Sequence, residues 1–184
     1  MRKLGYGCLV LLIGCLAGCG GAPVVKGPQR PDWVMKGAGA FPNDKKSLYG
    51  VGIAENITSV ALRRTTADNR AISEISKQLS VVSTALMRDY QSSASATEEE
   101  KASGEQYVEN TVKTFTSNMM SGVQVRDRYD EGNTAYSLAV LNVDDLKSLT
   151  ENVRQLSQQA KEYIKANAEK AFDKLDQEQE KTQP

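Results

Sequence analysis

The chain has 184 residues, with 23 Lys and Arg, 23 Asp and Glu, no His and three Cys. This length suits one ordinary domain with attachments, and the balanced charge argues against a nucleic-acid-binding protein, which normally presents a basic face. Because the chain lacks histidine, mechanisms that need an imidazole base, nucleophile or metal ligand are excluded, among them Ser–His hydrolases and the usual catalytic zinc sites.

Residues 1–18 have the pattern of a secretory signal peptide. Two basic residues, Arg2 and Lys3, precede an almost entirely apolar or small segment at residues 4–17. A transmembrane helix needs about 20 apolar residues, and this segment is shorter. We therefore expect residues 1–18 to be removed rather than to span a membrane.

Residues 16–19, Leu-Ala-Gly-Cys, look like a bacterial lipobox. The resemblance implies cleavage after Gly18, a diacylglyceryl thioether on Cys19 and acylation, for example by palmitate, of the new amino group. Two or more acyl chains anchor a protein stably to a membrane, so membrane lipid is the first expected partner. The alternative is an ordinary secreted protein that has a cysteine near its cleavage site.

A looser match to the same pattern occupies residues 12–15, Leu-Ile-Gly-Cys. Cleavage before Cys15 would shorten the apolar segment, so we favour Cys19. Cys8 and Cys15 would then be lost with the signal peptide, and the mature chain could form no internal disulfide. Gly20 follows the acylated position, where aspartate in Gram-negative lipoproteins commonly implies retention in the inner membrane. The expected location is therefore the outer membrane, with the periplasmic and surface sides left open.

Residues 19–47 are predicted to form a lipidated N-terminus and a flexible tether, because they are rich in Gly, Pro and Lys and lack sustained periodicity. Trp33, the only tryptophan of the chain, lies within this segment. It has two interpretations. It either docks the tether onto the domain as an apolar anchor or contacts a partner, since tryptophan is enriched at interaction hot spots.

The domain is predicted to begin with a strand at residues 48–54, in which Gly50 and Gly52 share one face. Glycines in this arrangement often mark the close approach of another backbone. A helix rich in small residues is predicted at residues 59–79, and its apolar stripe comprises Val60, Ala67, Ala71, Ile75 and Leu79. Residues 81–90 are predicted to form a second strand, and residues 92–104 a mobile loop or the frayed start of a helix.

A second helix and a hairpin complete the predicted domain, residues 48–142. The helix carries Val108, Val112, Phe115 and Met119 on one face. Alternating apolar residues at 123–129 and 136–140 flank the turn sequence Asp-Glu-Gly-Asn at 130–133, which predicts a β-hairpin.

A long C-terminal helix and polar tail are predicted at residues 143–184. Residues 142–145 resemble a capping box, and apolar residues at spacings of three and four continue to Leu175 across a four-residue insertion. A helix over 143–175 would be about 50 Å long, more than the domain could cover. Beyond its first turns it is predicted to be either a coiled-coil surface for a partner or a solvated tail.

Several short motifs together resemble the Lpp-twenty lipoprotein family, named for a twenty-kilodalton membrane-associated lipoprotein. They are Pro-Asp-Trp-Val at 31–34, Tyr-Gly-Val-Gly-Ile-Ala at 49–54, the spaced alanines of the first helix and Gly-x-x-Ala-Tyr-x-Leu at 132–138. The resemblance covers roughly residues 31–146. It implies an α+β domain in which a small antiparallel sheet cradles a helix, as in dodecins, here with the long C-terminal helix added. It also implies a surface or periplasmic lipoprotein, since some relatives are flagellar outer-membrane or basal-disk components, and it supplies no catalytic residues.

The expected function is that of a non-enzymatic, outer-membrane-anchored lipoprotein that acts as a scaffold or interaction module of the envelope, with flagellar association as one option. Partners would be membrane lipid and either another protein or a second copy bound through the C-terminal helix, but not nucleic acid. No catalytic, cofactor-binding or metal-binding residue is expected. The alternative is a dodecin-like ligand-binding module in which Trp33 or Tyr49 stacks on a flavin ring. A hydrolase using Ser and Lys or paired carboxylates has no recognisable setting in the sequence.

Overall fold

The computed structural model describes residues 29–102 and 104–182, so the signal peptide and Cys19 lie outside the described residues. The helices and strands are α1 (Asp32–Lys36), a 3₁₀ turn (Gly37–Ala40), β1 (Ser47–Glu55), α2 (Val60–Ser92), α3 (Glu98–Ala102), α4 (Gly104–Met119), a 3₁₀ turn (Met120–Gly122), β2 (Gln124–Glu131), β3 (Thr134–Asn142), α5 (Val143–Thr150) and α6 (Gln158–Thr182). The predicted α+β class, with a small antiparallel sheet and a long C-terminal helix, is confirmed.

The sheet has the order β1-β3-β2, and both pairings are antiparallel. The predicted hairpin joins β2 to β3 through Gly132. The φ angle of Gly132 is 57°, in the left-handed region that glycine adopts without strain. A bulge at Arg126 shifts the register between the pairs Val125–Ala139 and Asp127–Leu138. The inner face of the sheet contacts α2, and the outer face carries the N-terminal segment.

The predicted close approach of the first strand and first helix is confirmed. A Cβ atom added to Gly52 would overlap with the carbonyl oxygen of Ala67, and one added to Gly50 would overlap with that of Ala71. Because Ala67 and Ala71 are themselves small, the backbones of α2 and β1 can lie in contact.

The prediction of a strand at residues 81–90 is wrong, since α2 continues without interruption to Ser92. The stretch contains neither Gly nor Pro, and the buried residues Val82, Leu86 and Tyr90 extend the helical spacing of Ile75 and Leu79. Packing of this stripe against α4 and α6 outweighs the strand preference of Val81 and Val82.

The segment between α2 and α4, which was predicted to be a mobile loop or the frayed start of a helix, contains the short helix α3. Thr97 and Glu100 form a capping box at the start of α3. The Thr97 amide donates to Glu100 Oε2 at 2.9 Å, and the Glu100 amide donates to Thr97 Oγ1 at 3.2 Å. The predicted apolar face of α4 is confirmed, because Val108, Val112, Phe115 and Met119 are all buried.

The single C-terminal helix predicted over residues 143–175 is divided in two by a turn at residues 151–157. Ser157 caps the second helix, its Oγ accepting from the Ala160 amide at 3.2 Å. At the end of the first helix, Lys161 Nζ donates to the carbonyl oxygen of Glu151 at 2.8 Å. The capping box predicted at 142–145 is not formed, because Asn142 Oδ1 instead accepts from Ser47 Oγ at 2.8 Å and makes no cap bond.

The apolar stripe of the C-terminal helix faces the protein's own core, not solvent. Its members are all 8% exposed or less and comprise Ala160, Ile164, Ala168, Phe172 and Leu175. The spacing of three and four predicted Ala171 in this stripe, but Ala171 is only partly buried and Phe172 takes its place. They pack with α2 and α5 in one hydrophobic core. The expectation that the domain is too small to cover this helix is therefore wrong, because the continuation of α2 to Ser92 supplies the missing surface.

Candidate functional site

The N-terminal segment is docked on the outer face of the sheet, opposite α2. Trp33 and Val34 are buried among Tyr49, Leu138 and Val140. Trp33 is 5% exposed, and its Nε1–H donates to Asp127 Oδ2 at 3.0 Å. A helix of five residues has little stability of its own, so these contacts must hold α1 in place.

The docking interpretation of Trp33 is therefore confirmed, and the part of the predicted tether from residue 30 to Ser47 is part of the folded domain. A contact between Trp33 and a partner stays a prediction, and it would require α1 to leave the sheet.

Arg30 fastens the start of this segment to the hairpin. Its Nη2 donates to Glu131 Oε2 at 2.6 Å and to Tyr136 Oη at 3.1 Å, and its guanidinium carbon lies 5.6 Å from the centre of the Tyr136 ring. Its Nη1 contacts Met35 Sδ at 3.0 Å. The chain therefore enters the domain at the end of the sheet that carries the β2–β3 turn.

A second group of contacts fastens the far end of the segment. The rings of Phe41 and Tyr49 stack with their centres 4.0 Å apart. Asp44 accepts from Tyr49 Oη at 2.7 Å, from Ser47 Oγ at 2.9 Å and from the Lys46 amide at 3.0 Å. Burial alone would raise the pKa of Asp44, but these hydrogen bonds outweigh it and lower the pKa.

The same contacts cover the aromatic rings that the flavin-binding alternative requires. In that alternative Trp33 or Tyr49 stacks on the flavin, but each is 5% exposed and is covered by the chain's own residues. Within the described residues, no group of three or more His, Cys, Asp or Glu side chains is placed to hold a metal ion.

Both edges of the sheet carry features that hinder the addition of another strand. On β1, the carbonyl oxygen of Tyr49 accepts from Gln78 Nε2 at 2.9 Å, and that of Ile53 accepts from Arg70. The β2 edge is bulged at Arg126 and carries charged side chains at positions 126–128, 130 and 131. Charges, bulges and occupied carbonyls are the usual means by which edge strands avoid pairing. A partner of this domain would therefore bind side-chain surfaces.

Ion pairs join α2 to the hairpin. Arg128 donates to both carboxylate oxygens of Asp68, at 2.8 and 2.9 Å, and the buried Ser137 donates to Asp68 Oδ1 at 2.6 Å. Burial by itself would raise the pKa of Asp68, but the bonds from Arg128 and Ser137 lower it overall. These residues fix the position of the helix on the sheet.

An open groove of about 1020 Å³ runs between α2 and α4. Hydroxyl groups of Ser76, Ser80 and Thr84, spaced four residues apart, line the α2 side, and Val112 and Lys113 are among the residues of the α4 side. The groove is an open surface feature of mixed polarity, and the ionisable residues among those that line it are Arg88, Glu109 and Lys113.

Sequence reasoning missed a set of exposed hydrophobic side chains at the hairpin end of the domain. Val60 was assigned to the buried stripe of the first helix, yet it is 47% exposed, and the nearby Leu62 is 57% exposed. The signal was present in the sequence, since Leu62 is off the spacing set by Ala67 and Ala71. Within the described part of the chain, no helix is long and apolar enough to cross a membrane.

Comparison with known proteins found neither a family model nor a curated protein that matches this chain. The functional proposal therefore depends on the residues themselves and on their arrangement.

Proposed function

We propose that this protein is a non-enzymatic lipoprotein, anchored to the bacterial outer membrane through acylated Cys19, and that its folded domain acts as a scaffold or interaction module of the cell envelope. The observation that carries the proposal is the Leu-Ala-Gly-Cys sequence at residues 16–19, placed behind a basic and apolar signal segment.

The docked N-terminal segment supports this proposal. Because Arg30 and Trp33 already belong to the domain, ten residue steps separate Gln29 from Cys19. A chain of that length spans at most about 36 Å. The domain would consequently stay close to the membrane that holds its lipid.

The motifs that resemble the Lpp-twenty family lie at positions that determine the fold. Trp33 docks α1, Gly50 and Gly52 admit α2, and Gly132 forms the hairpin turn. Their presence supports a shared fold more strongly than a shared partner. A flagellar role is the part of the proposal that depends on the resemblance alone.

Protein partners would have to use surfaces other than the sheet edges and the apolar stripe of α6. Self-association through α6 remains part of the proposal, but it would involve the polar face of that helix. The open groove between α2 and α4 is a second available surface.

The lipid anchor is tested by metabolic labelling with a palmitate analogue, followed by membrane fractionation, in the wild-type chain and in Cys19→Ala and Cys15→Ala variants. The wild-type and Cys15→Ala chains are expected to carry label and to sediment with the outer membrane, whereas Cys19→Ala loses both properties. Continued labelling of Cys19→Ala, or an unlabelled and soluble wild-type chain, would contradict the proposal.

The scaffold role is tested in a strain of the source bacterium that lacks the chain. Swimming and the appearance of basal structures report a flagellar role, and the recovery of crosslinked envelope complexes reports a wider one. Normal swimming with intact basal structures removes the flagellar option. If the deletion strain retains every crosslinked envelope complex of the wild type, the scaffold role as a whole is contradicted.

A further inference from the structure

We infer that one end of the folded domain contacts the surface of the lipid bilayer that holds the anchor. This end, called the apolar end below, carries the exposed side chains of Met35, Ile53, Val60 and Leu62. The inference rests on the proposed lipid anchor at Cys19.

The apolar end holds most of the exposed large hydrophobic side chains of the described residues. Met35 is 71% exposed, Leu62 57%, Val60 47% and Ile53 40%, and the remaining one, Val81, lies elsewhere on α2. Ile53 is two residues from the end of β1, and Val60 and Leu62 are in the first turn of α2. Single exposed hydrophobic side chains are ordinary, and the relevant feature is that these four lie at one end of the domain.

The chain that leads to Cys19 enters the domain at this same end. Arg30 binds Glu131 and Tyr136 and also contacts Met35. Glu131 lies opposite Thr134, which in turn lies opposite Glu55 at the end of β1. The entry point, the hairpin turn and the end of β1 are therefore neighbours. With at most about 36 Å of chain between Gln29 and Cys19, the anchor holds this end within reach of the bilayer.

The charges of the apolar end largely cancel. Arg30 pairs with Glu131 at 2.6 Å, and Arg64 pairs with Asp130 at 2.6 Å. Glu55 and Arg70 add one charge of each sign, and Arg70 also donates to the carbonyl oxygen of Ile53. The buried Arg63, which donates to Asn133 in the hairpin turn, adds one further positive charge. This end consequently presents only a small positive net charge to the lipid headgroups. The half-buried rings of Tyr129 and Tyr136 add the amphipathic character that suits an interface.

The bilayer to which the chain is anchored fits this surface better than a freely diffusing protein partner does. Four separate side chains form too small a patch for a stable complex between proteins in solution. The anchor makes contact with the bilayer intramolecular, so that a weak interaction becomes populated at a high effective concentration. The bilayer is also the one surface that the anchor itself brings to this end.

The test uses the full acylated chain reconstituted into vesicles of phosphatidylethanolamine and phosphatidylglycerol at a ratio of about 3:1, in which about a quarter of the lipids are anionic. A polarity-sensitive fluorophore is attached to a cysteine introduced by Leu62→Cys or, as the matched control, by Val81→Cys. The two positions lie on the same helix at 57% and 54% exposure, and they are about 29 Å apart along its axis. Because acylation consumes the Cys19 thiol, the introduced cysteine is the free thiol of the mature chain.

Lipids that carry a spin label at the headgroup are expected to quench the fluorophore at position 62 at least about twofold more than the one at position 81. Equal quenching at both positions, or quenching at neither, overturns the inference. An unlabelled readout is amide hydrogen exchange, which is expected to slow at residues 53–62 on vesicles relative to the Cys19→Ser chain in solution. Unchanged exchange there, or protection that depends on protein concentration and not on lipid, also overturns it.

Failure of the inference and failure of the proposed function give different results. Mass analysis of Cys19 and vesicle flotation are measured first on the same preparation. A chain without acyl groups that does not float contradicts the lipoprotein proposal. A chain that is acylated and floats, but shows no quenching at position 62, contradicts the inference alone.

Discussion

Gly50 and Gly52 set the distance between α2 and the sheet. The carbonyl oxygens of Ala67 and Ala71 occupy the space that side chains at these two glycines would need. Since a helix backbone and a strand backbone are both rigid, neither can move aside as a flexible side chain could.

Gly52→Ala is therefore expected to lower the free energy of unfolding by about 1–3 kcal/mol, the usual cost of overpacking a core. Urea unfolding followed by circular dichroism measures this change. Ser80→Ala, at an exposed position on α2, serves as the control and should lie within about 0.5 kcal/mol of the wild type. A Gly52→Ala protein as stable as the control would show that α2 does not bear on β1 as described.

Two helices depend on contacts made far from them in sequence. The short α1 is held by Trp33 and Arg30, whereas α6 is held by a stripe that packs on α2 and α5. With five residues, α1 is too short to be stable alone in water. The position of α6 is set by the burial of its apolar stripe.

Trp33→Ala is expected to release residues 30–46 from the sheet. Removing a buried Trp side chain usually costs about 3–5 kcal/mol of stability. Because the segment can undock while the rest of the domain stays folded, the free energy of unfolding of the whole domain should fall by less than this. Limited proteolysis should cut the released segment faster, with a smaller change in the melting temperature. Met35→Ala, at a position that is 71% exposed, is the control. Equal protease resistance in both variants would contradict the docking of α1 by Trp33.

Phe172→Ala is expected to destabilise the protein by about 3–5 kcal/mol, independently of protein concentration, because the partner of this ring is the chain's own core. Phe172 is 1% exposed, whereas Lys170 in the same helix is exposed. Urea unfolding at two protein concentrations measures the effect, with Lys170→Ala as the control. A midpoint that rises with concentration would instead indicate a stripe shared between chains.

Among the described residues, the carboxyl and tyrosine groups with shifted pKa values form an acidic set and an alkaline set. The carboxyl groups with lowered pKa values are Asp44, Asp68, Glu100, Glu151 and Glu169. The tyrosines with raised pKa values are Tyr49, Tyr90 and Tyr163, and burial is the main cause in each. The chain contains no histidine to titrate between these sets.

The free energy of unfolding is therefore expected to be nearly constant between about pH 6 and pH 9. A carboxyl group with a lowered pKa stabilises the fold above its ordinary value, 3.8 for Asp and 4.5 for Glu, and that contribution is lost as the pH falls through the lower folded value. A tyrosine with a raised pKa stabilises the fold below its ordinary value of 10.0 and loses that contribution as the pH rises through the higher folded value.

Urea unfolding measured from about pH 2 to about pH 11 covers the plateau and both of its limits. Asp68→Asn should be less stable by roughly 1–2 kcal/mol at neutral pH and should show a weaker acid dependence. Asp32→Asn is the control, because the exposed pair of Asp32 and Lys36 contributes little. A transition centred between about pH 6 and pH 7 would contradict the expected plateau.

The sequence alone determined the features that depend on neighbouring residues. The alternation of residues 123–140 around Gly132 specified the hairpin, and the paired glycines of β1 indicated the approach of a helix. The signal segment and the cysteine at position 19 indicate the proposed anchor in the same way, because such patterns are read locally along the chain.

Only the tertiary structure decided the features that depend on which surfaces meet. Whether residues 81–90 form a strand or a helix depends on their burial against α4 and α6, since the residues suit both conformations. The burial of Phe172 depends on the length of α2, which no local pattern in the C-terminal region reports. The exposure of Val60 and the docking of Trp33 likewise exist only after the sheet has formed, because burial is a property of the assembled fold and not of the local sequence.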